Sequence, residues 1–333
     1  MVKQYDVYGI GAALLDTECR VSDQFLETAG IEKGVMTLVD EKRQNEILIS
    51  LAARENDFVR KCGGSVCNSI VAAGLLGSDT FFSGKVANDA DGNIFIRELA
   101  AAGVDFHSVK SEAGVTGKCL VMITVDAERT MNTFLGASAQ LSKREIDDSA
   151  LLNSEWLYIE GYLATSTKHT EMAADIIKFA KASSVKVALS LSDPFVVEAY
   201  ADNLRQIIGT GVDHIFCNKA EAIAFTGTSN EDEAASDLCK YSISHVITSG
   251  AGGARCFDGE HMIFSQGIEV GAIDTNGAGD MFAGAFLFAI TSGKSYQWAA
   301  DFANVCASMV VKKFGPRLDK DDFEMLKDQY ELR

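Results

Sequence analysis

Asp274 to Leu287 reads DTNGAGDMFAGAFL: a carboxylate, a glycine-rich bend, a second carboxylate and then an almost unbroken apolar run. Upstream, QGIEVGAID at 266–274 alternates apolar residues as a strand does. Downstream, DMFAGAFLFAIT is apolar all round, as a buried helix is, with Gly293 as its stop signal. The segment therefore reads strand, bend, helix. A bend of this kind delivers unpaired N–H groups at the positive end of a helix, and its glycines let an anion approach the backbone. Gly277, Ala278 and Gly279 are thus a candidate anion cradle. Asp280 stands in the first turn of that helix, where its carboxylate is favoured in the ionised form and could accept a proton from a hydroxyl beside the anion. A plain helix N-cap is the competing reading.

The rest of the chain supplies a frame for such a bend. From about Thr80, β-rich runs alternate with helical periods: FFSGKV then GNIFIRELAAAG, EWLYIEGYL then TEMAADIIKFAKA, VKVALSL then PFVVEAYADNLRQII, HIFCN then KAEAIAFTG. That alternation predicts βαβ units and a mainly parallel sheet with helices on both faces. Thr17 to Val39 and Lys118 to Leu135 break the pattern and read as a small projecting sheet. With two prolines, no repeat and no low-complexity tract in 333 residues, one domain with an appendage is expected.

Composition removes several classes of function. A net charge of −17 without a basic cluster argues against a nucleic-acid partner. No stretch reaches the roughly 18 apolar residues that span a bilayer, and MVKQYDVYGIGAALLD lacks a signal-like apolar core, so a cytoplasmic location without membrane contact is expected. Eight scattered cysteines, with no C-x-x-C, read as free and mostly buried thiols. Rossmann and Walker phosphate motifs are missing: Leu14 stands where the third glycine would follow Gly9 and Gly11, and Phe288 stands where a P-loop ending in GKS at 293–295 needs its first glycine.

In an open α/β sheet, ligands bind beyond the carboxyl ends of the strands, which directs attention to three further loops. KCGGSVCNSIVAAGLLG places Gly63 and Gly64 before a helix with Asn68 one turn inside, or it is simply a tight turn and a helix. FCNKAEA puts Asn218 and Glu221 three residues apart at a strand-to-helix junction, suited to a hydrated Mg²⁺ with phosphate oxygens or, equally, to helix capping. VITSGAGGARCFDG offers Thr248 to Gly253 with little side-chain bulk, as a nucleotide or a plain turn would need.

These loops, in this order, resemble the PfkB carbohydrate-kinase family, which includes ribokinase and adenosine kinase, over essentially the whole chain. The two family signatures match GGSVCNSIVAAGLLG at 63–77 and DTNGAGDMFAGAFL at 274–287, and the N-x-x-E motif matches Asn218 and Glu221. The resemblance implies a three-layer α/β/α sandwich with a mainly parallel central sheet and a small β lid, drawn from segments of roughly 15–40 and 108–136. It also implies transfer of the γ-phosphoryl of ATP to a hydroxymethyl group with Mg²⁺. By the same resemblance, Asp280 is the base and Gly277, Ala278 and Gly279 the anion hole, with Arg129 in the DAER turn as a lid cation. Asp16, Gly63, Gly64 and Asn68 bind the acceptor, and Asn218, Thr248, Gly250, Gly253 and Asn304 lie along the nucleotide. Glu221 belongs to the Mg²⁺ network, and Asp274 occupies the position used by members that bind a monovalent cation such as K⁺.

Within the family, LLDTECRVSDQFLETAGIEKGVMTLVDEKR and TMNTFLGAS resemble the adenosine-kinase branch, which favours a ribonucleoside acceptor phosphorylated at its 5′-hydroxyl. Against this, Ala12 and Ala13 replace the Asn-Pro common there, an amide able to bond a nucleobase. Met36, Met122 and Phe134 would sandwich a base or pack the lid. A sugar kinase for ribose, fructose or 2-keto-3-deoxygluconate is the first alternative. A non-catalytic sensor is the second, disfavoured because binding alone needs no base, and a dehydrogenase is a poorer third. Lids of this family either pair into dimers or stay monomeric, so both assemblies fit.

Overall fold

The computed structural model describes residues 3–53, 58–107, 114–126 and 128–332; of the segment expected to form part of a lid, 108–113 and 127 lie outside the described residues. The strands are β1 Tyr5–Ile10, β2 Leu14–Arg20, β3 Met36–Leu38, β4 Val59–Gly63, β5 Thr80–Ser83, β6 Val104–Phe106, β7 Gly117–Ile123, β8 Arg129–Phe134, β9 Ser154–Glu160, β10 Lys186–Ser190, β11 Val212–Asn218, β12 Ser242–Thr248, β13 Ala254–Phe257 and β14 Met262–Ser265. The helices are α1 Asp23–Ala29, α2 Glu41–Ala52, α3 Ser65–Leu76, α4 Ala90–Ala101, α5 Asp148–Leu152, α6 Thr167–Ala182, α7 Pro194–Ile208, α8 Lys219–Thr226, α9 Glu231–Leu238, α10 Ala278–Thr291, α11 Tyr296–Val310 and α12 Lys320–Tyr330.

Nine strands form one sheet in the order β14-β13-β12-β11-β10-β9-β1-β5-β6, parallel except for the β13–β14 edge. Its central strands, β1, β5, β9, β10, β11 and β12, are largely buried on both faces, as parallel strands between helical layers must be, whereas Met262 and Phe264 of the edge strand β14 are exposed. Val7 packs with residues of α3, α10 and α11 in one core, while its neighbours Tyr8 and Ile10 join a second core with α6 and α7. That is the expected three-layer α/β/α sandwich. The chain runs from β1 to β5 and β6 on one side, then returns to β9 and proceeds the other way. β1 and β9 therefore flank the switch point where an open α/β sheet leaves a crevice.

A second sheet of five strands, β3-β8-β7-β2-β4, follows β1 directly. It includes β4, an antiparallel partner of β2 beyond the 15–40 segment, because Val59–Gly63 runs back toward the sandwich and delivers Gly63 opposite Leu14.

One strand expectation fails. Residues 266–274, QGIEVGAID, form no strand, and the sheet ends at β14. Ile268 and Ile273 are exposed, so the apolar alternation marks no buried face. Gly267 instead passes so close to the turn after β12 that a Cβ there would stand 2.1 Å from the Ala251 carbonyl oxygen.

The apolar run becomes α10, buried from Met281 to Ala289 against α3 and α11. Gly284 permits the close approach: a Cβ would lie 2.4 Å from the Ser69 carbonyl oxygen and 2.8 Å from Ala72 Cβ. Gly284→Ala would gain about 1 kcal/mol in an exposed helix, yet here overpacking should lower stability by about 1–3 kcal/mol. Gly279→Ala meets nothing within 4 Å and should retain parental stability. Urea unfolding of the two variants side by side measures the contrast.

Candidate active site

The switch point opens into a cavity of about 360 Å³ whose walls come from both sheets, within the usual range of roughly 300–1,000 Å³ for small-ligand sites. Asp16, Gly64, Asn68, Arg129, Asn218, Glu221, Thr248 and the Gly277–Asp280 bend all line it. The other expected residues sit behind this wall. Gly63 leaves room for the Asp16 carboxylate, Asp274 braces the bend, and Gly250, Gly253 and Asn304 lie along the β12–β13 turn and the facing part of α11.

At the N-terminus of α10, Gly277 is the N-cap with φ +74°, and no side chain caps the helix. Its first amides therefore have no side-chain acceptor, and Ala278 N reaches the Thr275 carbonyl at 3.4 Å. A Cβ on Gly277 would fall 2.2 Å from the Pro316 carbonyl oxygen, so the bend needs glycine both for its φ and for that contact. Asp280 does not cap the helix. Its carboxylate crosses to α3, accepting from Ser65 Oγ at 2.7 Å and from Asn68 Nδ2 at 2.9 Å. Burial pushes this carboxyl up, while Asn68, Ser65, Arg129 and Arg317 pull it back.

Asp16 is also buried, and its pKa is raised well above the usual carboxylate value by burial first and then by Glu18, with Arg317 opposing. Gly63 is a glycine because a Cβ there would sit 2.1 Å from the Asp16 carboxylate, and Gly64, at φ +102°, faces the Ala12 carbonyl at 2.1 Å in the same sense. Arg129 opens β8 and directs Nη1 toward the Thr275 carbonyl at 3.4 Å, reaching the anion bend from the smaller sheet.

Asn218 and Glu221 form a capping box on α8: Glu221 N donates to Asn218 Oδ1 at 2.9 Å, while Asn218 N and Nδ2 donate to the Glu221 carboxylate at 2.9 and 2.6 Å. The capping reading is the one the hydrogen bonds realise, and both residues also line the cavity. Burial raises the Glu221 carboxyl to about 7. Asn304 donates through Nδ2 to Ser265 Oγ at 2.7 Å, which ties α11 to the end of β14. Asp274 is fully buried and accepts from the amides of Asn276 and Gly315 at 2.8 and 2.9 Å.

Residues 36–322 match the family described as pfkB family carbohydrate kinase. The chain belongs to the PfkB family. Its relatives include an adenosine kinase of Schizophyllum commune, 25% identical over 95% of this chain and 97% of that protein. A ribokinase of Haemophilus influenzae is 31% identical over 76% of this chain and 82% of that protein. Among solved structures, the adenosine kinase from Sinorhizobium meliloti superposes with a TM-score of 0.90 at 32% identity, covering 98% of this chain and 99% of that one. A probable sugar kinase from Rhizobium etli gives 0.91 at 29% identity, covering 99% and 100%. The fold is thus ribokinase-like, and as a PfkB kinase the protein is an ATP-dependent phosphotransferase acting on a hydroxyl group. Among the described residues no helix is long and apolar enough to cross a membrane.

Three buried charged residues escaped the sequence reading. Glu160, at the end of β9, accepts from the amides of Ala12 at 2.8 Å and Val66 at 3.2 Å, joining the β1 exit loop to the start of α3. An acidic residue closing a buried strand was the available signal. Arg317, in the loop before α12, donates from Nε and Nη2 to Asn68 Oδ1 at 2.9 and 2.8 Å, and nothing in the periodicity of FGPRL marks it. Glu18 accepts from Asn276 Nδ2 at 3.1 Å through one oxygen, while the other has no hydrogen-bond partner.

Burial, then the charge of Asp274, raises the Glu18 carboxyl to about 7. The folded state therefore binds a proton that the unfolded chain releases near pH 4.5, and the side chain's contribution to stability declines as pH rises through about 7. Glu18→Gln keeps the acceptor oxygen but cannot ionise. Its stability relative to the parent should improve by about 1–3 kcal/mol between pH 5 and pH 8, measured by denaturant unfolding at both pH values.

Proposed function

We propose that this kinase transfers the γ-phosphoryl group of ATP to the 5′-hydroxyl of a ribonucleoside, with adenosine the foremost candidate. The observation that carries the reading is the uneven lining of the cavity. Asp16, Asn68, Asp280 and the bend line it together with other polar groups such as Ser190, Ser192 and Glu221, and the smaller sheet and its exit add a run of apolar side chains, Met36, Leu38, Val121, Met131 and Leu135, joined by Leu163. A free sugar would press hydroxyls against that run without partners, at a cost of about 1–3 kcal/mol per group. A ribose with a flat base attached offers hydroxyls to the carboxylates and a ring to these apolar side chains.

In this reading Asp16 accepts from the ribose hydroxyls, and Asp280, held by Ser65 and Asn68, faces the 5′-hydroxyl and takes its proton. Burial raises the carboxyl toward the working pH of a base. The bend amides and Arg129 face the charge that develops on the transferred group. Thr248, with Gly250 and Gly253 behind it, lies on the nucleotide side. Glu221 and Asn218 suit a divalent cation: the carboxyl is buried and cavity-facing, and no cluster of three or more His, Cys, Asp or Glu among the described residues offers a full protein cage. A Mg²⁺ that keeps its waters fits such a sparse donor set and would neutralise phosphate charge when bound. K⁺ beside Asp274 belongs to the same proposal, since that carboxylate is buried without an ion pair among the described residues.

A free-sugar acceptor is the second reading, favoured by the ribokinase relative and the sugar-kinase neighbour. Steady-state kcat/KM for adenosine, 2′-deoxyadenosine, ribose and fructose separates the two. Adenosine should lead, and 2′-deoxyadenosine should fall roughly 10- to 150-fold, the worth of one charge-assisted bond. Ribose or fructose ahead by tenfold would reject the nucleoside. Independently, Asp280→Asn should keep fold and ATP affinity and lower kcat by roughly 10² to 10⁴. Turnover within a few-fold of the parent would remove Asp280 as the base.

A further inference from the structure

We infer that Arg317 is a positioning residue for phosphoryl transfer: it fixes which face of the Asn68 amide meets Asp280 and supplies the buried positive charge between the acceptor carboxylates. An asparagine side chain can present either its oxygen or its nitrogen, and a carboxylate base tolerates only the nitrogen. Arg317 settles the choice. Its Nε and Nη2 both donate to Asn68 Oδ1, at 2.9 and 2.8 Å, so Nδ2 is turned to Asp280 Oδ2 at 2.9 Å. The guanidinium is itself locked, with Nη1 donating to Cys62 Sγ at 3.0 Å and Nη2 donating to the Cys62 carbonyl oxygen, and it is 8% exposed.

The loop that carries Arg317 also touches the anion bend. Gly315 N donates to Asp274 at 2.9 Å, and the Pro316 carbonyl fills the space where a Cβ on Gly277 would be. Residues 315–317 thus join the bend to α3.

Charge gives Arg317 a second effect. Asp16 and Glu18 on β2, Asp280 on α10 and Glu160 on β9 are carboxylates of this one site, and Cys62 and Cys67 flank the guanidinium. Arg129 on β8 and Lys61 on β4 are the other cations acting on these carboxylates. Arg317 opposes the upward shift of both Asp16 and Asp280, so its removal should make both harder to ionise.

This inference rests on the proposed roles of Asp280 and Asn68. Arg317→Gln and Arg317→Lys are compared with the parent, each checked for folding by thermal melting, using ATP and the best acceptor. Arg317→Gln should lower kcat by about 10- to 100-fold with KM for ATP within about threefold, and move the acid limb of the kcat/KM profile to higher pH. Arg317→Lys restores the charge but not the two-pronged grip on Asn68, so the acid limb should return toward the parent while kcat stays low. In an Asn68→Ala background, Arg317→Gln should cost less than about threefold more, because the group it orients is gone. Parental kcat in folded Arg317→Gln, an unmoved acid limb, or fully additive losses with Asn68→Ala would each overturn the inference. Should Arg317→Gln fail to fold, the Arg317→Lys profile alone decides: both kcat and the acid limb at parental values would reject it. An active Asp280→Asn would instead remove the base assignment on which it rests.

Discussion

The site depends on one partly buried contact, the Asp280 carboxylate held between α10 and α3 by Ser65 and Asn68. A carboxylate withdrawn from water costs several kcal/mol unless donors replace the lost hydration. Those donors come from a helix some two hundred residues earlier in the chain, so α3 and α10 must lie at a fixed separation. Gly284 sets that separation by letting α10 rest on the Ser69 carbonyl, and the apolar run after Asp280 holds it there. The greasy helix and the polar bend at its mouth are thus one device: the first fixes the distance over which the second acts.

Electrostatics makes the arrangement demanding. The protein carries a net charge of −17, and four of its carboxylates, Asp16, Glu160, Glu221 and Asp280, line the cavity in which the proposed function seats a polyphosphate. Helix amides at Gly277–Gly279 and the guanidinium of Arg129 offset part of that charge at the surface of the cavity, and Arg317 does so from behind it. Burial alone would favour protonated Asp16, Glu18 and Glu160. The balance between desolvation and these few cations therefore sets how many of the site's acids are ionised at neutral pH.

What could be read from the sequence was what local chemistry dictates. The bend and α10 were legible because glycines, an acidic first turn and an apolar run are neighbours in sequence. The β/α alternation from Thr80 onward was legible for the same reason, and the doubly buried strands followed from it. QGIEVGAID misled because alternating apolar residues predict a strand only where a partner strand and a core face exist, and Ile268 and Ile273 have neither. Gly63 and Gly64 stood out as glycines, but the reason for them, the Asp16 carboxylate and the Ala12 carbonyl, lies about fifty residues away. Glu160 and Arg317 act only through contacts of still longer range, 148 and 249 residues for the bonds to Ala12 and Asn68, and no periodicity encodes such pairs.

The acceptor question turns on a different physical contrast from the catalytic one. The groups to which the proposed function gives catalytic roles come mostly from the sandwich, at the end of β11 and the starts of α3 and α10, whereas most of the apolar side chains of the cavity belong to the smaller sheet. A change of acceptor can thus be accommodated in β3, β7 and β8 without disturbing the Asp280–Asn68 contact. Asp16 and Arg129 are exceptions: Asp16 sits on β2 of that sheet yet packs against Gly63 and feels the charge of Asp280 and Arg317, and Arg129 opens β8 yet reaches the Thr275 carbonyl and acts on Asp280. The smaller sheet is therefore coupled to the chemistry through the Asp16 carboxylate and the Arg129 guanidinium. An acceptor that engages Asp16 settles that sheet and the site's charge together, while one that contacts only the apolar wall settles neither.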